Sequence, residues 1–144
     1  MFETFKTQRI YTGDAEIHLR IGGDGPPVVL LHGYPQCGTC WHKVAPALAE
    51  RYRVIVPDLR GYGDSKGPAP DSENQLYSKR AMAADIAGVL DALSIETAMV
   101  VGHDRGGRVA YRFALDHPDR LTKLAVLDMI PTAEMWERMD AAAF

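Results

Sequence analysis

The stretch Met99-Val-Val-Gly-His-Asp-Arg-Gly-Gly-Arg108 decides the fold of this chain. The apolar run from Ala98 to Val101 predicts a buried strand, and apolar residues at helical spacing from Val109 to Ala114 predict a helix after it. Asp104 therefore lies on the turn between them, with a glycine two residues before it and another two residues after it. This is the spacing of G-x-S-x-G, in which glycines permit a sharp turn that exposes a nucleophile. Aspartate takes the nucleophile position here, although a purely structural strand–turn–helix would have similar glycines.

Strand patterns lie on both sides of this turn. Phe2–Tyr11 and Glu16–Ile21 alternate in polarity around a turn and predict an antiparallel hairpin. Continuously apolar runs are typical of strands that are covered on both faces. The chain has such runs at Val28–Leu31, Ala98–Val101 and Leu124–Leu127, and Tyr52–Val56, which contains Arg53, predicts another buried strand.

Helical patterns separate these apolar runs. They are found at Trp41–Arg51, where Thr39 is the predicted N-cap, at Lys79–Leu93, from Asp104 to Asp116, and in a segment that begins at Pro131. Two strands followed by alternating strands and helices predict an α/β fold with a mostly parallel sheet and flanking helices.

Composition and charge exclude several classes of function. The chain has 144 residues, 47% of them hydrophobic, and a net charge of −3 with no basic run. Bulk electrostatic binding to nucleic acid is therefore not expected. No apolar run approaches the length of a membrane span, and the first residues show no apolar signal segment, so we expect no membrane association and a cytoplasmic location.

The two cysteines, Cys37 and Cys40, have the C-x-x-C spacing of a redox pair or of half a zinc site. The chain offers no second Cys/His pair at matching spacing, so a four-ligand zinc site is not expected. We favour the interpretation that both are small side chains in a loop before Trp41.

Polar residues follow the predicted parallel strands. His32, Asp58, Asp104 and Asp128 stand directly after the four apolar runs, or within a residue or two of their ends. Ligands of open parallel sheets bind at the carboxyl ends of the strands. The sequence therefore predicts that the functional site lies at this edge of the sheet.

Three motifs, in this order, resemble those of the α/β-hydrolase family: His32-Gly-Tyr-Pro35, Asp58-Leu-Arg-Gly-Tyr-Gly-Asp-Ser65 and Gly102-His-Asp-Arg-Gly-Gly107. With aspartate at the nucleophile position, the chain resembles the dehalogenase and epoxide-hydrolase branch. Asp-Arg-Gly-Gly-Arg108 and Ala125-Val-Leu-Asp-Met-Ile-Pro-Thr132 are similar to the fluoroacetate (haloacetate) dehalogenases in particular. The resemblance implies that residues 1–132 are the N-terminal part of the hydrolase core domain and that 133–144 begin a cap region. It also places the rest of the cap, the last strands and the catalytic histidine downstream of this chain.

Asp104 is the predicted nucleophile. A carboxylate can displace halide from carbon, or open an epoxide, and forms an ester that water must hydrolyse. The backbone N–H of Arg105, at the start of a helix, is one natural donor to the oxyanion of that step. The resemblance assigns the second donor to the N–H of Tyr34, whose side chain is expected to line the substrate pocket. The alternative role of Asp104 is that of a helix cap.

Arg105 and Arg108 are three residues apart, which places both on one helix face. They occupy the first turn, where the helix dipole disfavours cations, and such breaks of a local rule are expected at functional sites. Two guanidinium groups there would bind a substrate carboxylate. The alternative is that they pair with an internal acid such as Asp58 or Asp64.

Asp128 is placed to orient a histidine as the acid of a triad, and its alternative role is to cap the next turn. His32 and His103 belong to the turn motifs, and we expect them to be packed and hydrogen-bonded rather than catalytic. Tyr34–Pro35 is a candidate cis peptide, because cis bonds are tolerated before proline.

The expected function is hydrolysis of a short 2-halo carboxylate to glycolate and halide, through an ester of Asp104, without a metal or an organic cofactor. An epoxide hydrolase with the same nucleophile is the first alternative. A non-catalytic fragment or interaction module is the second, because no histidine of the chain is placed to act as the base. The expected partner is a small anionic halogenated substrate, and a homodimer is an expectation for the full-length protein.

The apolar pattern of the last 21 residues, from Leu124 to Phe144, predicts apolar surface that no other part of this chain covers. Leu124–Leu127 is too uniformly apolar for an exposed edge strand, and the apolar face of Met135–Phe144 has no assigned cover. We therefore expect residues 1–144 to be part of a longer protein and, when expressed alone, to aggregate or remain molten.

Overall fold

The computed structural model describes residues 2–131, 134 and 135. Their strands form one six-stranded sheet in the order β1-β2-β4-β3-β5-β6. The strands are β1 Lys6–Tyr11, β2 Glu16–Gly22, β3 Pro27–Leu31, β4 Arg53–Pro57, β5 Ala98–His103 and β6 Leu121–Leu127. β2 pairs antiparallel with β1 and with β4, whereas β3, β4, β5 and β6 are parallel to one another. The predicted hairpin and the mostly parallel α/β sheet are confirmed.

Among the described residues, three α-helices and three single-turn 3₁₀ helices lie before, between or beside the strands of the sheet. The α-helices are α1 Ala45–Leu48, α2 Lys79–Ala92 and α3 Arg105–Asp116, and the 3₁₀ helices are Gly38–Trp41, Gln75–Tyr77 and Pro118–Arg120. The extents predicted for α2 and α3 are confirmed to within a residue. The segment predicted to begin at Pro131 is helical at Glu134 and Met135, and most of it lies outside the described residues.

The predicted helix Trp41–Arg51 is wrong in extent. The segment forms a 3₁₀ turn and then the four-residue α1, which has Pro46 in its first turn. Proline lacks an N–H and its ring clashes with the carbonyl four residues earlier, so it fits the first turn of α1 but interrupts a helix that begins at Trp41. Thr39 lies inside the 3₁₀ turn and its side chain caps neither helix.

The core lies on both faces of the sheet, because alternate residues of a strand point to opposite sides. On one face, Phe113 of α3 and Leu90 of α2 are buried against strand residues such as Val29. On the other face, Trp41 packs with Val28 and its neighbours, as expected for a core tryptophan. β6 is an edge strand whose apolar side chains are largely exposed within the described residues, which agrees with the uncovered surface predicted there.

A buried ion pair joins α2 to the loop that follows β4. The Arg60 guanidinium donates to both Asp85 oxygens, at 2.6 and 2.7 Å, and the two side chains are only 3% and 2% exposed. Arg60 also donates to Asp14 at 3.0 Å, and Thr12 donates to Asp85 at 2.5 Å. No sequence motif indicated this network, which fixes the loop beside the predicted site.

Asp85→Ala is expected to lower the free energy of unfolding by about 3–5 kcal/mol, because it leaves the Arg60 charge buried without its main partner. Denaturant unfolding of the full-length protein measures this change. Asp91→Ala is the matched control on the same helix, since Asp91 is 65% exposed in its ion pair with Arg120. That substitution should cost at most about 1 kcal/mol. Equal losses in the two variants would contradict a stabilising role for the buried pair.

No helix among the described residues combines the length and the apolar character needed to cross a bilayer.

Candidate active site

Asp104 occupies a strained turn between β5 and α3. Its backbone has φ 49° and ψ −115°, a conformation that residues with side chains rarely adopt. Close packing explains the glycines around it: a Cβ on Gly102 would lie 2.2 Å from the carbonyl oxygen of Gly106, and a Cβ on Gly106 would lie 2.5 Å from that of Leu31. The turn predicted from the glycine spacing is therefore present, and its geometry excludes side chains at both glycine positions.

The Asp104 carboxylate accepts a hydrogen bond from the loop after β3. The N–H of Tyr34 lies 2.8 Å from Oδ2. Burial acts to raise the pKa of Asp104, but the backbone N–H groups of Tyr34 and Arg105 and the charges of His103 and Arg108 outweigh it, and the pKa lies below its usual value. The side chain makes no helix-capping hydrogen bond to α3. The structure thus favours an ionised Asp104 carboxylate, oriented by the Tyr34 N–H, over a helix-capping role for Asp104.

The loop after β3 presents the Tyr34 N–H to Asp104. His32, which is fully buried, fixes this loop: its Nδ1 contacts the Gly33 carbonyl at 2.9 Å, and its Nε2 accepts the Leu59 N–H at 2.9 Å. Burial lowers the pKa of His32, in agreement with a neutral ring that accepts at Nε2. The prediction that His32 is packed and hydrogen-bonded is confirmed, and the Tyr34–Pro35 peptide is cis as expected.

The two arginines that follow Asp104, Arg105 and Arg108, have no carboxylate partner within residues 2–131. The Arg105 guanidinium lies over the Tyr34 ring, 4.5 Å from its centroid, and donates to the Tyr62 hydroxyl at 2.9 Å. Arg108 has a buried Nε without a hydrogen-bond partner among the described residues, and its Nη2 lies 3.8 Å from the sulfur of Met135. Within residues 2–131, neither guanidinium group is thus neutralised by an acid.

Asp58, the first of the two acids proposed as alternative partners of the arginines, is occupied elsewhere. Its oxygens accept the N–H of Gly38 at 2.6 Å and that of Asp64 at 3.0 Å, and Oδ2 lies 3.1 Å from Nδ1 of His18. The Asp64 side chain lies 3.9 Å from the same His18 nitrogen. The alternative in which Arg105 and Arg108 pair with these acids is wrong, because backbone N–H groups and His18 occupy the Asp58 oxygens and the exposed Asp64 side chain lies nearest to His18.

Asp128 follows β6 at the same edge of the sheet as Asp104. The Asp104 N–H donates to the Leu127 carbonyl at 3.0 Å, which brings the ends of β5 and β6 together. The Asp128 side chain is 87% exposed, and its Oδ2 lies 3.6 Å from Nε2 of His103. The contact with His103 was not predicted, since nothing in the sequence indicates which residues flank Asp128 across the sheet.

A profile of the family described as the alpha/beta hydrolase fold matches residues 26–143. This chain belongs to the α/β-hydrolase family. A fluoroacetate dehalogenase from a Burkholderia species is 51% identical over 142 residues, which cover 97% of this chain and 46% of that protein. The soluble epoxide hydrolase of Corynebacterium sp. (strain C12) is 46% identical over 115 residues, or 80% of this chain and 38% of that protein. The chain thus spans less than half the length of these two relatives.

Solved structures of the family agree closely with this fold. A crystal structure described as that of an α/β hydrolase from Nostoc sp. PCC 7120 superposes with a TM-score of 0.96 and 50% identity, covering 99% of this chain and 49% of that one. The α/β-hydrolase fold expected from the motifs is therefore confirmed, and hydrolase relatives include both a dehalogenase and an epoxide hydrolase.

In this α/β-hydrolase chain, an open cavity of about 720 Å³ lies between the loop after β3 and the loop of residues 61–63. Cys37 and Cys40 are both in its wall and form no disulfide. Burial raises the pKa of the Cys40 thiol to about 11, which disfavours the reactive thiolate. The interpretation of these cysteines as small side chains before Trp41 agrees with this geometry.

His18, Asp58 and Asp64 bring three potential metal ligands together, a cluster that the sequence did not reveal. Both Asp58 oxygens are used by backbone N–H groups, and the Arg20 guanidinium already lies 3.9 Å from Oδ1. The Arg20 guanidinium thus provides the positive charge next to Asp58. The contacts of this cluster are better explained by stabilisation of the surrounding loops than by a metal centre.

Proposed function

We propose that the full-length protein is a hydrolase that removes halide from a short 2-halo carboxylate through an ester of Asp104. One observation carries this proposal: an ionised carboxylate on a strained turn stands beside two arginines that no carboxylate of residues 2–131 neutralises. Two unpaired guanidinium groups favour a substrate that bears its own carboxylate. The 51% identity to a fluoroacetate dehalogenase supports the same substrate class.

In the first step, Asp104 attacks the halogen-bearing carbon. The Tyr34 N–H holds Oδ2, so the other oxygen, Oδ1, is the one left free to attack. The new O–C bond forms as the carbon–halogen bond breaks, and halide leaves with the bonding electron pair. Arg105 and Arg108 hold the substrate carboxylate during this step.

In the second step, water attacks the carbonyl carbon of the ester. The oxygen held by the Tyr34 N–H becomes the oxyanion, and the Arg105 N–H is the second donor to it. Collapse of this intermediate releases glycolate and restores the Asp104 carboxylate. The proton of the water passes to a general base, and Asp128 orients a histidine in that role.

The decisive experiment supplies fluoroacetate to the full-length protein and measures fluoride and glycolate. A single turnover in H₂¹⁸O should give glycolate without the label, because its new oxygen comes from Asp104, and should leave the label in the enzyme. Labelled glycolate in the first turnover would contradict the ester mechanism. Absence of fluoride release would contradict the proposed substrate.

Epoxide hydrolysis is the second candidate, because the 46% identical relative is a soluble epoxide hydrolase. The same nucleophile would open an epoxide to an ester. The unpaired arginines favour the anionic substrate over a neutral epoxide. Diol formation from styrene oxide, measured beside fluoride release, separates the two candidates, and inactivity with both would favour a non-catalytic role.

Arg108→Ala is expected to raise KM for haloacetate, and Arg105→Ala to lower kcat as well, because Arg105 also packs on Tyr34 beside the oxyanion donors. The loss of a charge-assisted hydrogen bond costs about 1.5–3 kcal/mol, so kcat/KM should fall roughly ten- to a hundred-fold. Steady-state kinetics measure both parameters.

Arg80→Ala is the matched control for these two variants, since the Arg80 side chain is 71% exposed and lies 3.4 Å from Asp116. It should leave kcat/KM within about twofold, as expected for a charge that its own partner already neutralises. An unchanged kcat/KM in both Arg105→Ala and Arg108→Ala would rule out the carboxylate-binding role.

A further inference from the structure

A second cavity lies behind the arginines, between the start of α2 and the face of α3. It has a volume of about 250 Å³, and its wall includes Lys79, Arg108, Tyr111 and Met129. Arg108 lies one turn of α3 after Asp104: its N–H donates to the Asp104 carbonyl at 3.2 Å, and its charge lowers the pKa of the Asp104 carboxyl. The cavity and the candidate nucleophile are therefore both neighbours of Arg108.

Two of the three cations in this wall have no carboxylate partner among residues 2–131. Arg112 is paired with Asp116, whereas Lys79 and Arg108 form no ion pair within residues 2–131. The hydrogen bonds of their charged ends go to sulfur: Lys79 Nζ lies 3.8 Å from Met82, and Arg108 Nη2 lies 3.8 Å from Met135. Half-buried cations with such weak acceptors are costly unless a ligand supplies negative charge.

The surrounding charges make this arrangement less favourable for a cation. Lys79 is the first residue of α2, and neither α2 nor α3 has an acid in its first turn, so the positive ends of two helix dipoles face the cations. Burial and the charges of Arg105 and Arg108 lower the pKa of the Lys79 ammonium, although Asp104 acts in the opposite direction. A bound anion would offset the repulsion between these cations and their unfavourable interaction with the helix dipoles.

We propose that Lys79 is the third cation of the anion site, and that it acts with Arg108 to select a small carboxylate over a neutral molecule of the same shape. This inference rests on the proposed function, because it assigns the substrate class of the same site. Lys79 is thus a specificity-determining residue. Arg108 contributes both to this cavity and to the surroundings of Asp104.

Lys79→Met in the full-length protein tests this inference, since methionine keeps much of the length of the side chain and removes the charge. We expect kcat/KM for fluoroacetate to fall by at least about tenfold, the loss typical of one charge-assisted contact. The value for fluoroacetamide, a neutral substrate of similar shape, should not change. Lys79→Arg should recover most of the activity, which shows that the charge rather than the fold was lost.

Arg80→Met is the matched control, because it removes a charge from the next residue of the same helix. The Arg80 side chain is 71% exposed and lies 3.4 Å from Asp116. It should leave the preference for fluoroacetate over fluoroacetamide unchanged. An equal fall in Arg80→Met and Lys79→Met would show a general effect of net charge and would overturn the inference.

Binding of acetate, measured by calorimetry, gives a readout that does not depend on chemistry, since acetate has no leaving group. Acetate affinity should fall in Lys79→Met and recover in Lys79→Arg. If the wild-type protein releases no fluoride but still shows this pattern, the proposed reaction fails and the anion site stands. If fluoride release is normal and acetate binds Lys79→Met as tightly as wild type, the inference is overturned and the reaction stands.

Discussion

Asp104→Asn is expected to abolish turnover of haloacetate by the full-length protein, with a loss of roughly 10⁴-fold or more, as for removal of other enzymatic nucleophiles. An amide cannot displace halide to give a stable ester, although it fills the same space between the loop after β3 and the start of α3. The Tyr34 N–H would still have an oxygen to bond, so the turn should keep its geometry. Fluoride release and mass spectrometry of the protein measure the two consequences, which are no halide and no covalent adduct.

Asp64→Asn is the control for this variant. Asp64 lies in the loop beside the open cavity, and its side chain is 63% exposed. It should retain nearly full activity. Retention of half the activity in Asp104→Ala would contradict the assignment of Asp104 as the nucleophile.

The low pKa of Asp104 adds a second test of the same assignment. Burial works against ionisation, but the backbone hydrogen bonds and nearby cations hold the pKa below its usual value. The carboxylate therefore stays ionised as the pH falls from neutrality towards the ordinary aspartate range. The rate of adduct formation should accordingly stay constant over this range, whereas later steps that need a base can slow. A loss of adduct formation well above the usual aspartate pKa would contradict this account.

The parts of this fold that the sequence predicted are those that local physics fixes. The apolar run before Gly102 indicated a strand because a β-strand covered on both faces must be apolar throughout. The glycines around Asp104 indicated a sharp turn, and the structure shows that backbone carbonyl oxygens occupy the space where their side chains would lie. Helix α3 ends at Asp116, before His117-Pro118, as a proline requires.

The parts that the sequence did not predict depend on contacts between distant residues. Arg60 and Asp85 are 25 positions apart, and nothing local distinguishes them from exposed charges. Asp58 was an open candidate as a partner for the arginines because its neighbours in the fold, such as His18, were unknown. The short α1 is different, because the signal of Pro46 was present in the sequence and was outweighed by the apolar spacing around it.

The unfavourable position of Arg105 and Arg108 in the first turn of α3 can be interpreted only once their tertiary neighbours are known. Arginines in the first turn of α3 oppose the helix dipole, and the sequence alone left an ion pair or an anion site as explanations. The structure places the two candidate acids around His18 instead, and it brings Lys79 of another helix to the same region. An ion pair with Asp58 or Asp64 is therefore not the explanation, and the anion site remains the proposal that the Arg105→Ala and Arg108→Ala variants test.

Asp128→Asn is the second substitution with a large expected effect, and it acts on a different step. If Asp128 orients the histidine that activates water, its loss should slow hydrolysis of the ester and leave formation of the ester nearly unchanged. Removal of the acid from a serine protease triad lowers kcat by about 10⁴-fold, which sets the expected size of the effect. One equivalent of fluoride should then be released in a burst, and mass spectrometry should show the adduct on Asp104.

The structure supports this separation of steps. Asp128 and Asp104 stand at the ends of neighbouring strands, but the hydrogen bonds that hold the Asp104 carboxylate come from Tyr34 and Arg105. Asp119→Asn is a control that removes an acid from the 3₁₀ turn just before β6, at the opposite end of the strand. It should turn over normally and accumulate no adduct. Normal turnover without an adduct in Asp128→Asn would mean that Asp128 only shapes the end of β6, next to His103, and that the acid of the triad lies elsewhere in the full-length protein.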